Sequence, residues 1–512
     1  MLRHTMAGRT RPRRFAAPGT RGLGTCSGTP PMADRMLQFV RLKQAQPEKR
    51  GAGERRADFG EIYREFEPAK AAQQASRCSQ CGVPFCQVHC PLSQNIPDWL
   101  KLTAEGRLQE AYEVASATST FPEICGRICP QDRLCEGNCV IEKGFESVTI
   151  GAVEKYIVDT AWERGWVSPP RARAELPQSV GIIGAGPAGL AAAERLRTRG
   201  YQVHVYDRHD RAGGLMIYGI PNFKLEKEVV LRRWRSFEQG GINFHLGRAV
   251  GRDVTLPELR ERHDAVFIAT GVYKARDIEG PGSDLKGIVP ALDYLIASNR
   301  DNLGDAVPEF ASGALNAAGK RVVVLGGGDT AMDCVRTAVR QGATSVTCMY
   351  RRDKANMPGS MREVANAEEE GVEFMWLAAP EGFEDDGNGH VAGVRAVRMH
   401  LGLPDATGRQ QVVPIQGSGF AQGCDLAIKA LGFDPEDLPA MFGEKALAVT
   451  RWGTVKVDHR TMMTDLPGVF AGGDIVRGAS LVVWAIRDGR DAAERIDAYL
   501  RKRAAPVAVA AE

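Results

Sequence analysis

Eight cysteines fall between positions 78 and 139 of a 512-residue chain that has twelve in all. They form two runs, Cys78-x2-Cys81-x4-Cys86-x3-Cys90-Pro91 and Cys125-x3-Cys129-Pro130-x4-Cys135-x3-Cys139. Three chemistries compete for them. Disulfides suit secreted chains, and these cysteines accompany nucleotide-binding motifs with no secretory signal expected. Zinc favours two Cys-x2-Cys knuckles closing one tetrahedral site, and only Cys78 and Cys81 form such a pair. Iron–sulfur clusters take closely spaced thiolates plus a distant one, and Cys-x3-Cys-Pro suits a last cysteine that ligates the other of two clusters. On that logic Cys78, Cys81 and Cys86 share one cluster, closed by a cysteine of the second run. Cys90 then joins members of the second run on another. An even split would make Cys125 a ligand as well.

A second chemistry lies downstream. Val180-Gly181-Ile182-Ile183 runs as a short strand into Gly184-Ala185-Gly186-Pro187-Ala188-Gly189 and an Ala-rich helix to Arg199. Gly184 permits the tight turn, Gly186 lets the backbone approach a pyrophosphate, and Gly189 lets helix and strand pack closely. The helix N-terminus offers free N–H groups and a positive dipole end to the phosphates. The next strand, Gln202–Asp207, ends in an acid placed to hold a ribose hydroxyl. The device recurs. Strand 320–325 enters Gly326-Gly327-Gly328-Asp329-Thr330-Ala331, and the strand after it, Ser345–Tyr350, ends in Arg351-Arg352. Arginines there suit the 2′-phosphate of NADP, and no acid is present to favour NAD. One unit therefore reads as an FAD site and the other as an NADPH site.

The elements that position these groups follow from the pattern of the chain. A net charge of +3, with 43% hydrophobic and 25% charged residues, marks an ordinary water-soluble composition and gives no support for nucleic-acid binding. No apolar run is long enough for a membrane span. Residues 1–35 read as a basic extension, 36–175 as a helical iron–sulfur domain, 176–291 as the first part of the FAD domain, 292–452 as the NADPH domain and 453–512 as the second part of the FAD domain. The expected architecture is α/β. A helical domain precedes two Rossmann-like domains, the second inserted in the first. Helices are expected around 96–116, from 150 to about 164, and at 481–500, with a buried strand over 265–271 that ends in Ala-Thr-Gly and a strand-turn over 468–474 that ends in an acid. Cys334, Cys348 and Cys424 are isolated and read as core residues. The histidines read as ordinary surface or core residues.

Several stretches resemble a known family. They are Arg77-Cys78-Ser79-Gln80-Cys81-Gly82-Val83-Pro84-Phe85-Cys86, the run from Phe121 to Gly137, the Gly213-Gly214-Leu215…Tyr218-Gly219-Ile220-Pro221 loop, and Ala471-Gly472-Gly473-Asp474. Over about residues 36–500 the chain is similar to the small (beta) subunits of bacterial NADPH-dependent glutamate synthase, and to the N-terminal half of dihydropyrimidine dehydrogenase. The resemblance implies two [4Fe-4S] clusters. Cys78, Cys81, Cys86 and Cys139 would hold one. Cys90, Cys129 and Cys135 would hold the other with Glu154, leaving Cys125 spare. It also implies FAD contacts at Gly184, Gly186, Gly189, Asp207, Gly214, Leu215, Lys224, Gly473 and Asp474. NADPH contacts are implied at Gly326, Gly328, Asp329, Thr330, Arg351 and Arg352.

The implied activity is NADPH oxidation in the cytoplasm. Electrons would go to a large (alpha) subunit that makes L-glutamate from glutamine and 2-oxoglutarate, in a hetero-oligomer. A flavin must stand between a hydride donor and one-electron clusters, so no side chain is expected to act as nucleophile or general base. Three rivals are the same module serving another acceptor, a thioredoxin-reductase-like enzyme, and a zinc-bearing scaffold. The second needs a redox Cys-x-x-Cys, and Cys334 has no such neighbour.

Overall fold

The structure, a computed structural model, describes residues 36–405 and 410–504, so the basic stretch expected at 1–35 lies outside the described residues. The first cysteine run follows helix α1 (Pro68–Ser76), helices α2 (Ile96–Ala104) and α3 (Leu108–Thr118) lie between the runs, and helix α4 (Pro122–Ile128) carries Cys125, the first cysteine of the second run. Helix α5 (Ile150–Glu163) follows the second run. Proline stands in the first turn of α1, α2 and α4, where its missing N–H costs nothing. Gly106, at φ 76°, separates α2 from α3 as expected. Trp99, Ala111, Ala115, Val153 and Ile157 are wholly buried and form this domain's own core. Gly126 lets α4 touch α5, since a Cβ there would lie 2.7 Å from the Lys155 nitrogen.

The first nucleotide domain starts with β1 (Ser179–Ile183), α6 (Pro187–Arg199) and β2 (Gln202–Asp207), followed by α7 (Lys227–Gln239), β3 (Asn243–Leu246) and β4 (Ala265–Ile268). The inserted domain has β5 (Ile288–Pro290), α8 (Ala291–Asn302), β6 (Arg321–Leu325), α9 (Asp329–Arg340), β7 (Ser345–Tyr350), α10 (Met361–Glu369) and β8 (Glu373–Trp376). An antiparallel excursion follows, with β9 (Ala378–Asp385), β10 (Val391–Pro404), β11 (Gln410–Pro414) and β12 (Phe420–Gly423), before β13 (Leu426–Lys429). The chain then returns to the first domain with β14 (Val469–Ala471) and the long helix α11 (Val482–Ala504).

Two parallel five-stranded sheets result, in the orders β14–β4–β1–β2–β3 and β5–β13–β6–β7–β8. Their central strands β1, β4, β6 and β13 are buried along nearly their whole length because both faces are covered. β14 pairs with β4 across the insertion, so the first and last parts of the chain make one sheet. The antiparallel sheet was not foreseen. It packs Phe383, Val394 and Ala396 on Val323, Leu325 and Met349 of the second parallel sheet, whose other face is covered by helices.

Lys274–Ala275 pairs antiparallel with Phe433–Asp434, where the chain leaves and re-enters the first domain. The inserted sheet therefore begins at Ile288, before the expected boundary at 292. Leu438, Phe442, Leu447 and Val455 already pack into the first domain's core, ahead of the expected return at 453. β5 has three residues and the re-entry segment is irregular, so neither carries a readable period.

Candidate functional site

Cys78, Cys81, Cys86 and Cys139 line one small enclosed cavity with Pro84, Phe85, Leu100 and Ile150. Gln80 sits in the left-handed region at φ 51°, which turns its backbone N–H toward Cys78 Sγ at 3.5 Å, with Gln80 Nε2 at 3.4 Å. Burial pushes the thiols of Cys78 and Cys86 up to about 11 and 12. A thiolate in that place needs an adjacent cation, which cluster iron supplies when bound.

Cys90, Cys129, Cys135 and Glu154 form a second group. Each lies close enough to at least two of the others for their charges to act on one another. Glu154 accepts a hydrogen bond from Gln94 Nε2 at 2.5 Å, and burial pushes its carboxyl up to about 8. Cys125 is buried beside Cys129, so the thiol expected to be spare also faces this group. Lys155 turns away to Glu61 and Asp159. Among the described residues no three His, Cys, Asp or Glu side chains converge closely enough to hold a single metal ion. The four thiols of the first group surround a cavity, which fits a polynuclear cluster. Cys135 also acts electrostatically on Cys86, so the two groups adjoin.

A further cavity, of about 340 Å³, lies where all three domains meet. Gly184, Gly186, Asp207, Gly214, Leu215, Lys224, Gly473 and Asp474 line it. Gly184 has φ 109°, and a Cβ there would strike the Ala269 carbonyl; one on Gly189 would strike that of Gly184. A Cβ on Gly186 would meet nothing within 4 Å, so that backbone faces open space. Asp207 Oδ2 accepts from the Ala185 N–H at 2.7 Å, fixing the turn to the strand end. Thr270 Oγ1 and Asp474 Oδ1 are buried on this cavity without a hydrogen-bond partner. Orphaned polar atoms in a groove lined by the glycine turn fit a dinucleotide with hydroxyls to bind. The first turn of α11, through Val482, Val483 and Ala485, closes one wall. Thr270 and Tyr273 were missed by sequence reasoning. Their only signal was a position just past a buried strand end.

The same cavity reaches Cys129, Pro130 and Gln131 on one side and Asp329 and Thr330 on the other. Asp329 Oδ1 accepts from the Ser360 N–H at 2.8 Å. Gly326 has φ 147°, and a Cβ on Gly328 would meet nothing within 4 Å, as at Gly186. Arg351 is exposed and Arg352 half-buried at the end of β7; among the described residues neither side chain has an ion-pair or hydrogen-bond partner, and Arg352 Nε is a buried orphan. Two unpaired guanidinium groups at that strand end fit a phosphate.

Lys224 does more than line the cavity. Its Nζ meets Asp333 Oδ1 at 2.8 Å and Glu363 at 3.7 Å, both on the inserted domain. Burial opposes its charge, but the two carboxylates hold the ammonium above its ordinary range. The histidines include one grouping that sequence did not foresee. His204 Nδ1 lies 3.1 Å from His245 Nε2, and His263 Nε2 lies 3.0 Å from the Tyr206 hydroxyl, with His204 and His263 ring centroids 5.0 Å apart.

Comparison with known proteins agrees with this division. Residues 55–166 match the family model described as dihydropyrimidine dehydrogenase domain II, 4Fe-4S cluster, and residues 178–489 match pyridine nucleotide-disulphide oxidoreductase. The chain is 69% identical over 480 residues to the glutamate synthase [NADPH] small chain of Azospirillum brasilense, covering 93% of this chain and 99% of that one. It is 46% identical over 472 residues to the protein of that name from Escherichia coli (strain K12), covering 92% and 100%. It is also 46% identical over 462 residues to the E. coli oxidoreductase AegA, covering 89% of this chain and 70% of AegA. Among solved structures, FprA of Mycobacterium tuberculosis in complex with NADPH matches with a TM-score of 0.54 at 20% identity, over 64% of this chain and 85% of that one. That likeness concerns the fold.

Proposed function

Because the chain belongs to the family of bacterial NADPH-dependent glutamate synthase small chains, we propose that it is the NADPH-oxidising subunit of a cytoplasmic hetero-oligomer. It delivers single electrons to a large amidotransferase subunit that makes L-glutamate from glutamine and 2-oxoglutarate. FAD and two [4Fe-4S] clusters are its proposed resident groups. When bound, the flavin supplies the conversion between two-electron hydride chemistry and the one-electron chemistry of the clusters.

The chain's own residues bind, orient and shield. Gly184, Gly186 and Gly189 shape the turn for the FAD pyrophosphate. Asp207 sits at the ribose end, and Asp474 and Thr270 offer unpaired oxygens along the cavity. Gly214 and Leu215 press on the same space, and Gly473 opens the turn beside Ala188. On the inserted domain Gly326, Gly328, Asp329 and Thr330 form the corresponding turn, with Arg351 and Arg352 at the 2′-phosphate end. Cys78, Cys81, Cys86 and Cys139 would hold one cluster, and Cys90, Cys129, Cys135 and Glu154 the other. No side chain is needed as a proton donor for hydride transfer.

One observation carries the reading. A single cavity is walled by the first glycine turn, by Asp329 and Thr330 of the second, and by Cys129–Gln131 of the cysteine domain. That is the adjacency a hydride donor, a flavin and a one-electron carrier require. The test is assay of anaerobically purified protein for iron, sulfide and flavin, then for activity. About eight iron and eight sulfide per FAD are expected from two four-iron clusters, with dye reduction by NADPH but no glutamate until the large subunit is added. Glutamate made by the chain alone would end the partner claim.

AegA favours one second reading, because there a similar module makes up only part of a longer oxidoreductase. The same NADPH, FAD and iron–sulfur unit would then serve another acceptor. Dye reduction without any stimulation by a large amidotransferase subunit would select it.

A further inference from the structure

The second cysteine loop is held from outside its own domain. Residues 358–362, which lead from the end of β7 into helix α10, form a strap with partners on both sides. On one side the Gly359 N–H donates to the Gly327 carbonyl at 2.9 Å and the Ser360 N–H to Asp329 Oδ1 at 2.8 Å, so the second glycine turn fixes the strap's place. On the other side the Pro358 carbonyl accepts from Arg133, and Ser360 Oγ lies 3.5 Å from Asp132 Oδ1. Arg362 donates to Gln131 Oε1 at 3.0 Å and to Glu136 Oε2 at 3.2 Å. Gln131, Asp132 and Arg133 stand between Cys129 and Cys135, and Glu136 directly follows Cys135.

Glu136 makes Arg362 more than a tie. Glu136 is buried, and its other oxygen accepts from the Gly151 N–H at 3.0 Å, in the first turn of α5. Among the described residues its ion-pair partner is Arg362, which comes from the inserted domain. Burial opposes the charge on Arg362, but the Glu136 carboxylate leads the groups that outweigh it. Arg362 stands in the first turn of α10, where the helix dipole disfavours a cation. Helix stability therefore does not explain an arginine here. A buried carboxylate beside Cys135 does, because leaving it unpaired is costly. Cys129, Gln131 and Arg362 also line the cavity shared with the nucleotide turns, so the pair lies on the side of the second cysteine group that faces them.

The consequence is one of charge. NADPH gives up two electrons and a proton overall, and the electrons pass a one-electron centre singly. Each adds one negative charge there and removes it again on leaving. The readiness of an iron–sulfur cluster to take an electron depends on the net charge around it. A bare carboxylate next to Cys135 opposes the added charge, and one cancelled by a guanidinium does not.

We propose that Arg362 is a positioning residue for the second cysteine group. Through it the inserted nucleotide domain cancels the Glu136 carboxylate, and so sets how readily the centre at Cys90, Cys129, Cys135 and Glu154 accepts an electron. This rests on the cluster reading given under Proposed function and adds to it the residue pair that tunes the centre.

The experiment is a redox titration of the anaerobically purified holoprotein, followed by electron paramagnetic resonance of the reduced clusters. It compares wild type, Arg362→Gln, Glu136→Gln and the double variant. Iron and flavin content are measured first and are expected to match wild type. Glu154→Cys, which changes a side chain of the second group alone, identifies that centre's signal. Arg362→Gln is expected to weaken electron binding at the second centre about tenfold, which lowers its potential by about 59 mV for a one-electron couple. Glu136→Gln should strengthen binding by a similar factor. The double variant, with both charges removed, should return to within about threefold of wild type, and Arg362→Lys, which keeps the charge, should stay within the same range. The first centre should hold its potential throughout.

Electron binding by Arg362→Gln within about threefold of wild type would overturn the proposal. So would a lowered potential that the double variant fails to restore, since Arg362 would then act only by seating the domains. If Arg362→Gln does not retain iron, Glu136→Gln alone carries the test, and an unchanged or lowered potential there would refute it. A wild-type protein without iron would instead refute the clusters proposed above, a separate and distinguishable failure.

Discussion

Arg351 and Arg352 show how a residue can be prepared for a ligand by being left alone. Arginines in this chain are commonly paired, yet these two stand at the end of β7 without a side-chain partner among the described residues. Replacing both by Ala is expected to raise the KM for NADPH roughly ten- to a hundredfold, the equivalent of a lost charge-assisted contact of about 1.5–3 kcal/mol. The KM for NADH should hardly move; equal effects on the two would refute the 2′-phosphate assignment. The histidine grouping makes a second residue-scale prediction. Burial, and then His204, His245 and Arg262, lower His263 from 6.5 to about 4, with only Asp264 opposing. The unfolded chain therefore binds a proton that the folded one refuses. This stability is fully present above pH 6.5 and is lost as pH falls through about 4, about 3 kcal/mol in all. His263→Gln should flatten the fall in Tm across that window; an unchanged slope would dismiss the assignment. The arginines were legible in sequence because one strand and its end define them. The histidines were not, because β2, β3 and the end of the helix at Leu256–Arg262 bring them together only in the fold.

At the scale of elements, close approach is what the glycines provide. Gly489 on α11 sits on the first turn of α6, and a Cβ there would run into the Ala188 carbonyl. Backbone cannot swing aside as a side chain can. Gly489→Ala should push α11 off α6 at a cost of about 1–3 kcal/mol and move the wall of the cavity formed by Val482, Val483 and Ala485. Lower flavin retention together with a lower Tm is expected, and a protein with unchanged flavin content would show that α11 does not shape the site. The strand–turn–helix units could be read from sequence because apolar run, glycine spacing and helix all lie within a short window. The sheet β9–β10–β11 with β12 could not. β10 runs 14 residues with an irregular burial pattern and register shifts, so no clean alternation marks its buried face. β5 failed for the opposite reason, being too short for any period.

For the whole molecule the question is what keeps three domains in register around one cavity. A buried ionic network does this. Glu370 of the inserted domain, itself wholly buried, receives Arg55 from the cysteine domain at 2.9 Å and Arg336 and Arg340 from its own domain at 2.9 and 2.6 Å. Arg336 and Arg340 also stack on Phe223 of the first nucleotide domain, at 4.5 and 3.9 Å to its ring centroid, next to Lys224 and its partners Asp333 and Glu363. Burial, only partly offset by Lys224, pushes Asp333 up to about 6, whereas Arg336 and Lys224 outweigh burial at Glu363 and bring it down to about 2. Against hydrophobic side chains of the same volume such a network gains little stability, but removing one member strands the others. Glu370→Gln would leave three guanidinium groups around a neutral amide. The expected cost is about 3–5 kcal/mol, concentrated where the domains meet. Hydrogen exchange should rise at α9, α10 and 52–57 before it rises in the sheets, and NADPH-driven dye reduction should fall while bound flavin remains. Uniform destabilisation, with flavin and dye reduction lost together, would mean that the network supports the fold in general and does not set the distance between the two nucleotide sites. Rigid docking of this kind suits a protein whose electrons must cross from one domain to the next, because the gap between carriers is then fixed by packing and not by encounter.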